Sequence, residues 1–373
     1  MVAIASVSRV PLIDQLPEVK ISLMIAAIVA GIMLFLFVPI SARIRTAFWA
    51  ITALVLFRFF LGASAAAYYF AQPLEISIQE ARFGVFIALT PVCIAFLREC
   101  TSRELLLFTV FYVAVLLILD LYVYWMFSGD EILIVGSRTA SRFFCSVLIP
   151  CVTLASAMIK EPAEFFQRPI LFVFLQILMA VHSVIITTSR VESLLSSGLL
   201  CFIFVSKWPR SQWGILALIF ALGLAAPFGL SSDEGGVAGR DYGLAYDLTV
   251  DAFPLGYGLV TDVTAKSTLG LPDEFFLSDY GFFLYAIRYG LLGICAVLLL
   301  IVYWYRFATE HKTRFGSLLF SVPLLAYFAL IPTLDYSSLG GSFVVAMLFL
   351  HSPAANCASG IGVPQVVVST AAA

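Results

Sequence analysis

Charge is scarce in this sequence. Asp, Glu, Lys and Arg make up 12% of the 373 residues, half the share of roughly 25% usual in soluble domains, which excludes an ordinary water-facing surface. A net charge of -2 and the lack of any dense basic run exclude nucleic acid as a partner. Only three histidines occur, His182, His311 and His351, and they lie far apart. With no clustered-acid motif and no phosphate-cradling loop either, no metal and no cofactor are expected, and a nucleotide-driven cytoplasmic mechanism is unsupported. The seven cysteines are odd in number and lack metal spacing; most sit in apolar segments (Cys93, Cys145, Cys151, Cys201, Cys295) and read as small core residues. No internal repeat, low-complexity tract or second soluble domain is visible. The first twenty residues, with Arg9, Asp14, Glu18 and two prolines, do not resemble a cleaved signal peptide.

Apolar residues are abundant instead: 62% of the chain, with a mean hydropathy of +1.03. Crossing a hydrocarbon core takes roughly 20 apolar residues, and lipid offers backbone groups no partners, so such stretches must be helices; the alternation of a barrel is absent. The expected fold class is all-α, a polytopic transmembrane bundle occupying residues 1–373 as a single domain. Apolar segments predict spans at about 21–40, 46–71, 82–97, 104–127, 143–159, 169–188, 193–206, 212–229, 281–305, 316–334 and 340–351. The third, seventh and last are short enough to be tilted or re-entrant. The small-residue tail 353–373 is expected to be disordered.

Counting Lys and Arg on alternate sides, with Arg58 and Arg288 left out as lying inside spans, gives eleven on one side against eight on the other. The clusters Arg43/Arg45, Arg98/Arg103, Lys207/Arg210 and Arg306/Lys312/Arg314 all fall on the richer side, which is therefore cytoplasmic. The N-terminus is then outside, as is the one long polar interval, 230–281. That interval holds nine of the 23 acids, consistent with a translocated loop.

The same frame gathers further polar groups on the outer face: Arg138 and Arg142, Thr188-Ser189-Arg190, and Asp335-Tyr336. Positive charge is not favoured there, whereas a guanidinium can grip phosphate as a planar fork. Arg138 or Arg142, Arg190 and Arg240 would supply a clamp. Each also has a plainer account: Arg190 as the cap of a helical hairpin, Arg138 and Arg142 as surface ion-pair partners of Asp130 and Glu131. Phe253-Pro254-Leu255-Gly256-Tyr257-Gly258 is a turn by local chemistry. Asp279, before the helix that starts near Gly281, is either its N-cap or a carboxylate for catalysis or sugar binding. Within the spans, Arg58 and Asp120 are candidates to pair across the bundle, and His182 is a core histidine or a support for Arg190.

Thr188-Ser189-Arg190 at a helix end, the long loop with Arg240 and Phe253-Pro254-Leu255-Gly256-Tyr257-Gly258, then Ser278-Asp279-Tyr280-Gly281 running through Tyr289-Gly290-Leu291-Leu292-Gly293, resemble the O-antigen ligase and Wzy-type polymerase superfamily. The resemblance covers residues 185 to 295 best. It implies a GT-C-like bundle in the bacterial inner membrane with its site on the periplasmic face. Glycan would pass from an undecaprenyl-pyrophosphate-linked oligosaccharide to an acceptor glycan without metal, with membrane lipid and a chain-length regulator as further partners. Arg190 and Arg240 match the arginines that hold the pyrophosphate, and one of Arg138 and Arg142 a further one. Tyr257, Tyr280 and His182 would complete the substrate-binding set. Asp279 stands where ligases usually carry His, which favours a polymerase and makes Asp279 the expected base. Arg288 departs from the acid often found in its helix. A ligase is the alternative. A transporter of the same lipid-linked unit is the third reading, and it would show broken helices and polar groups near mid-membrane.

Overall fold

The computed structural model describes residues 42–81, 84–126, 147–161, 169–182, 241–272, 275, 277, 280–310 and 338–350, with residues 29, 33, 198 and 325 singly. Of the interpretable residues 86% are helical and none is in a strand, so the all-α class stands. In chain order the helices are α1 (Ala42–Phe70), α2 (Leu74–Ala81), a 3-10 turn (Gly84–Leu89), α3 (Thr90–Glu99), α4 (Ser102–Met126), α5 (Leu148–Lys160), α6 (Pro169–Val181), α7 (Tyr242–Asp251), α8 (Asp262–Leu269), α9 (Gly281–Glu310) and α10 (Ser338–Leu350). Among the described residues two stretches are long and apolar enough to cross a membrane, Phe48–Phe70 in α1 and Gly281–Tyr305 in α9. The expected span 82–97 is divided: Gly84–Leu89 is 3-10 and only Thr90 onward is α-helix, with Pro91 in its first turn, where a missing N–H costs nothing.

Helix ends are closed by short polar devices. Thr101 and Glu104 form a capping box on α4: the Thr101 N–H donates to Glu104 Oε2 at 2.8 Å and the Glu104 N–H to Thr101 Oγ1 at 3.2 Å. At the end of α3, Lys160 Nζ donates to the carbonyls of Arg98 (2.7 Å) and Cys100 (2.6 Å), placing a cation where the helix dipole is negative. That bond brings the ends of α3 and α5 together, as the alternating frame expects of Arg98 and Lys160. The larger core joins α3, α4, α5, α6 and α10 through Leu97, Leu105, Leu148, Leu154, Phe172 and Val344. Inside it Thr109 and Thr153 satisfy each other's hydroxyls at 2.8 Å.

The described residues of 241–280 are folded and share a core with the start of α9. Asp241 caps α7 by accepting the Leu244 N–H at 2.9 Å. Thr261 caps α8, which ends on Gly270 in the left-handed conformation. Ala245, Leu248, Val260, Ala265, Leu271, Phe275, Leu277 and Tyr280 pack with Leu284 and Ile287 of α9, so this segment, called the lid below for its place before α9, is one unit with the start of that helix. Gln72, just after α1, ties the lid to the first described helix. Its amide donates to the Leu259 carbonyl at 2.8 Å and accepts the Thr261 N–H at 3.1 Å.

Candidate functional site

α9 is broken at Gly290, whose backbone (φ 53°, ψ -129°) is non-helical and left-handed in φ. In a continuous helix the Leu291 N–H would bond the Ile287 carbonyl. Here Leu291 donates to the Pro254 carbonyl at 2.9 Å, and Ile287 accepts from the Tyr257 N–H at 2.7 Å. Gly258 N–H takes the next carbonyl, Arg288, at 2.8 Å, and Leu259 N–H bonds Gly62 of α1 at 2.9 Å. The turn segment is thus a strap that enters the break and occupies the groups the break frees. Backbone approach this close leaves no room for a Cβ. One added at Gly256 would lie 2.6 Å from the Gly290 nitrogen, and one at Gly290 would lie 2.7 Å from the Gly256 nitrogen.

Two arginines flank this junction. Arg58, in the middle of α1, donates from Nη2 to the Tyr289 hydroxyl at 2.6 Å, its guanidinium carbon 4.1 Å from the Tyr289 ring centroid. Arg288, next to Tyr289, is 1% exposed and donates to the Val260 carbonyl at 3.0 Å. A buried guanidinium is costly to remove from water, and these hydrogen bonds and the ring offset that desolvation penalty. Arg58 thus engages an aromatic residue 231 positions away; the side chain of Asp120, expected to pair with it, lies outside the described residues. Arg288, whose facing the sequence leaves undecided, points into the protein.

Of the residues singled out from sequence, Arg138, Arg142, Arg190, Arg240 and Asp279 lie outside the described residues. The other three are placed. Tyr257 is half-buried where the strap meets the end of α1, edge-to-face with Tyr69 (centroids 5.7 Å apart) and Phe70 (5.3 Å). Tyr280 is 3% exposed within the lid core; its ring stacks on Phe275 at 4.6 Å and its hydroxyl accepts the Asp241 N–H at 3.0 Å. His182 is buried at the end of α6. Among the described residues no cluster of His, Cys, Asp and Glu has the form of a metal site.

Sequence reasoning set Arg58 and Arg288 aside as charges to be accounted for. Their signal was present all the same: each is a lone guanidinium in an apolar run. What it lacked was the strap between them, since neither Gly256 nor Gly290 announces its partner. No family model, no curated protein and no solved structure matches the chain.

Proposed function

We propose that the protein is a polysaccharide polymerase of the bacterial inner membrane. It transfers glycan from an undecaprenyl-pyrophosphate-linked donor to an acceptor sugar at the periplasmic face, without metal. The observation that supports it best is the junction of α1, the strap and α9, where two guanidiniums are held in apolar helices beneath a folded lid. Both guanidiniums are engaged within the protein, Arg58 by Tyr289 and Arg288 by the Val260 carbonyl, so they brace the junction, and the lipid pyrophosphate that the resemblance implies falls to the arginines of the polar segments. Arg190 and Arg240 hold the pyrophosphate in this reading and stabilise it as the anomeric bond breaks; Asp279 takes the proton of the acceptor hydroxyl. Arg138 or Arg142 adds a further contact, with Tyr257 beside the acceptor sugar.

One observation bears on the transporter reading, since a helix interrupted by glycine is what it calls for. In such sites the freed backbone groups face a ligand. Here Ile287, Arg288 and Leu291 are bonded to the strap, so the interruption serves the protein's own packing and the enzymatic reading is preferred. The test is Arg190→Ala and Arg240→Ala in cells, with protein levels and polymer length measured together. Loss of polymer at unchanged membrane abundance supports the clamp; full-length polymer in both variants overturns it.

A further inference from the structure

The depth of the strap can be read from the helices it joins. Leu259 bonds the carbonyl of Gly62, eight residues before the end of α1 at Phe70. At a rise of 1.5 Å per residue that is roughly 12 Å below the helix end. Pro254 bonds Leu291, ten residues into α9, roughly 15 Å from its start. The two depths agree, and the hydrocarbon core is ~30 Å thick. Non-helical backbone at that level is tolerated only where its polar groups are satisfied inside the protein. Much of the strap's backbone is satisfied in this way: Pro254 has no N–H and its carbonyl accepts from Leu291, Gly256 donates to Ala252, and Tyr257, Gly258 and Leu259 donate to Ile287, Arg288 and Gly62. The carbonyls of Leu259 and Val260 accept from Gln72 and Arg288.

The side chains divide in the same way. Gly256, Gly258, Leu259 and Val260 are buried, while Phe253 and Leu255 are 54% and 58% exposed. Through the Pro254–Leu291 bond this apolar tip adjoins Leu291 and Leu292, also half-exposed, at the head of the outward apolar face of α9 formed by Leu298, Leu299 and Val302. Exposed hydrophobic surface continuous with the outer face of a spanning helix is surface for acyl chains.

We infer that Phe253–Val260 is a re-entrant element that dips into the bilayer, with Phe253, Pro254 and Leu255 at a tip that meets phospholipid acyl chains and Gly256, Gly258, Leu259 and Val260 inside the bundle. The inference rests on α1 and α9 crossing the membrane and is independent of the reaction catalysed. The lid is then anchored in the membrane at its tip as well as joined to it at its ends.

The test places the photoreactive p-benzoylphenylalanine singly at Phe253, Leu255, Asp247 and Leu299 in the full chain, in native membranes, and reads adducts by mass on the labelled peptide. A phospholipid mass shift is expected at Phe253, Leu255 and Leu299 and is absent at Asp247, an exposed residue of α7. A shift at Leu299 with none at Phe253 and Leu255 overturns the inference and leaves α9 as a span. No shift at Leu299 removes the membrane premise and the inference with it. Protein, glycan or polyprenyl adducts at Phe253 and Leu255 also overturn it. Hydrogen exchange on the unaltered chain in lipid nanodiscs checks the folded state: the amides of 256–259 should stay protonated long after those on the exposed face of α7 have exchanged, and equal loss contradicts the strap.

Discussion

The Tyr257 amide and the Ile287 carbonyl, 2.7 Å apart, are joined where a continuous helix would have given that carbonyl to Leu291. This one bond explains how a polar interval and an apolar helix come to be a single structural unit. The strap cannot leave without exposing the broken ends of α9, and α9 cannot straighten without expelling the strap.

Replacing Gly290 with Ala should therefore be destabilising through two effects, a left-handed φ and a Cβ against Pro254. A non-glycine residue in such a conformation costs about 1–3 kcal/mol before the clash is added. Gly256→Ala meets the same backbone from the other side. Because both alanines act on one contact, the double variant should lose less than the sum of the singles. Thermal unfolding in detergent or nanodiscs reads all three.

The Arg58–Tyr289 pair should behave as a coupled unit. Tyr289→Phe keeps the ring beneath the guanidinium and removes the hydroxyl acceptor, for a loss of about 0.5–1.5 kcal/mol. Arg58→Ala removes both contacts, leaves the buried Tyr289 hydroxyl without this donor, and should cost more. A double-mutant cycle on unfolding free energy should give a non-zero coupling, and additive losses would separate the two residues.

Gln72 holds three partners at 3% exposure: Ser77, Leu259 and Thr261. Gln72→Ala leaves the Leu259 carbonyl and the Thr261 N–H without this partner and should cost about 1–3 kcal/mol. The effect should appear first as faster exchange of the 259–261 amides.

Two of the expected spans were legible in the sequence, because length and apolarity mark a candidate span; most of 21–40, 193–206, 212–229 and 316–334 lies outside the described residues. The run 46–71 emerges as α1 up to Phe70, and 281–305 lies within α9. The lid helices were not legible, because α7 and α8 are short and their caps, Asp241 and Thr261, resemble any loop residues. The break in α9 was hidden for a different reason: glycine is common in membrane helices, so Tyr289-Gly290 reads as continuous helix until the strap is seen to fill it. The partner of Arg58 was hidden by distance along the chain. Of the expected site, Tyr257, Tyr280 and His182 could be compared with the structure, and two of them, Tyr280 and His182, are buried in it.

The central claim is the reaction. It is tested most directly by deleting the gene and separating the surface glycan by size together with the carrier-linked pool. The polymerase account predicts single repeat units on the anchor and no long chains, restored by the intact gene and not by Asp279→Asn. Accumulation of finished polymer on the polyprenyl carrier, or loss of every outward-facing unit, would contradict it.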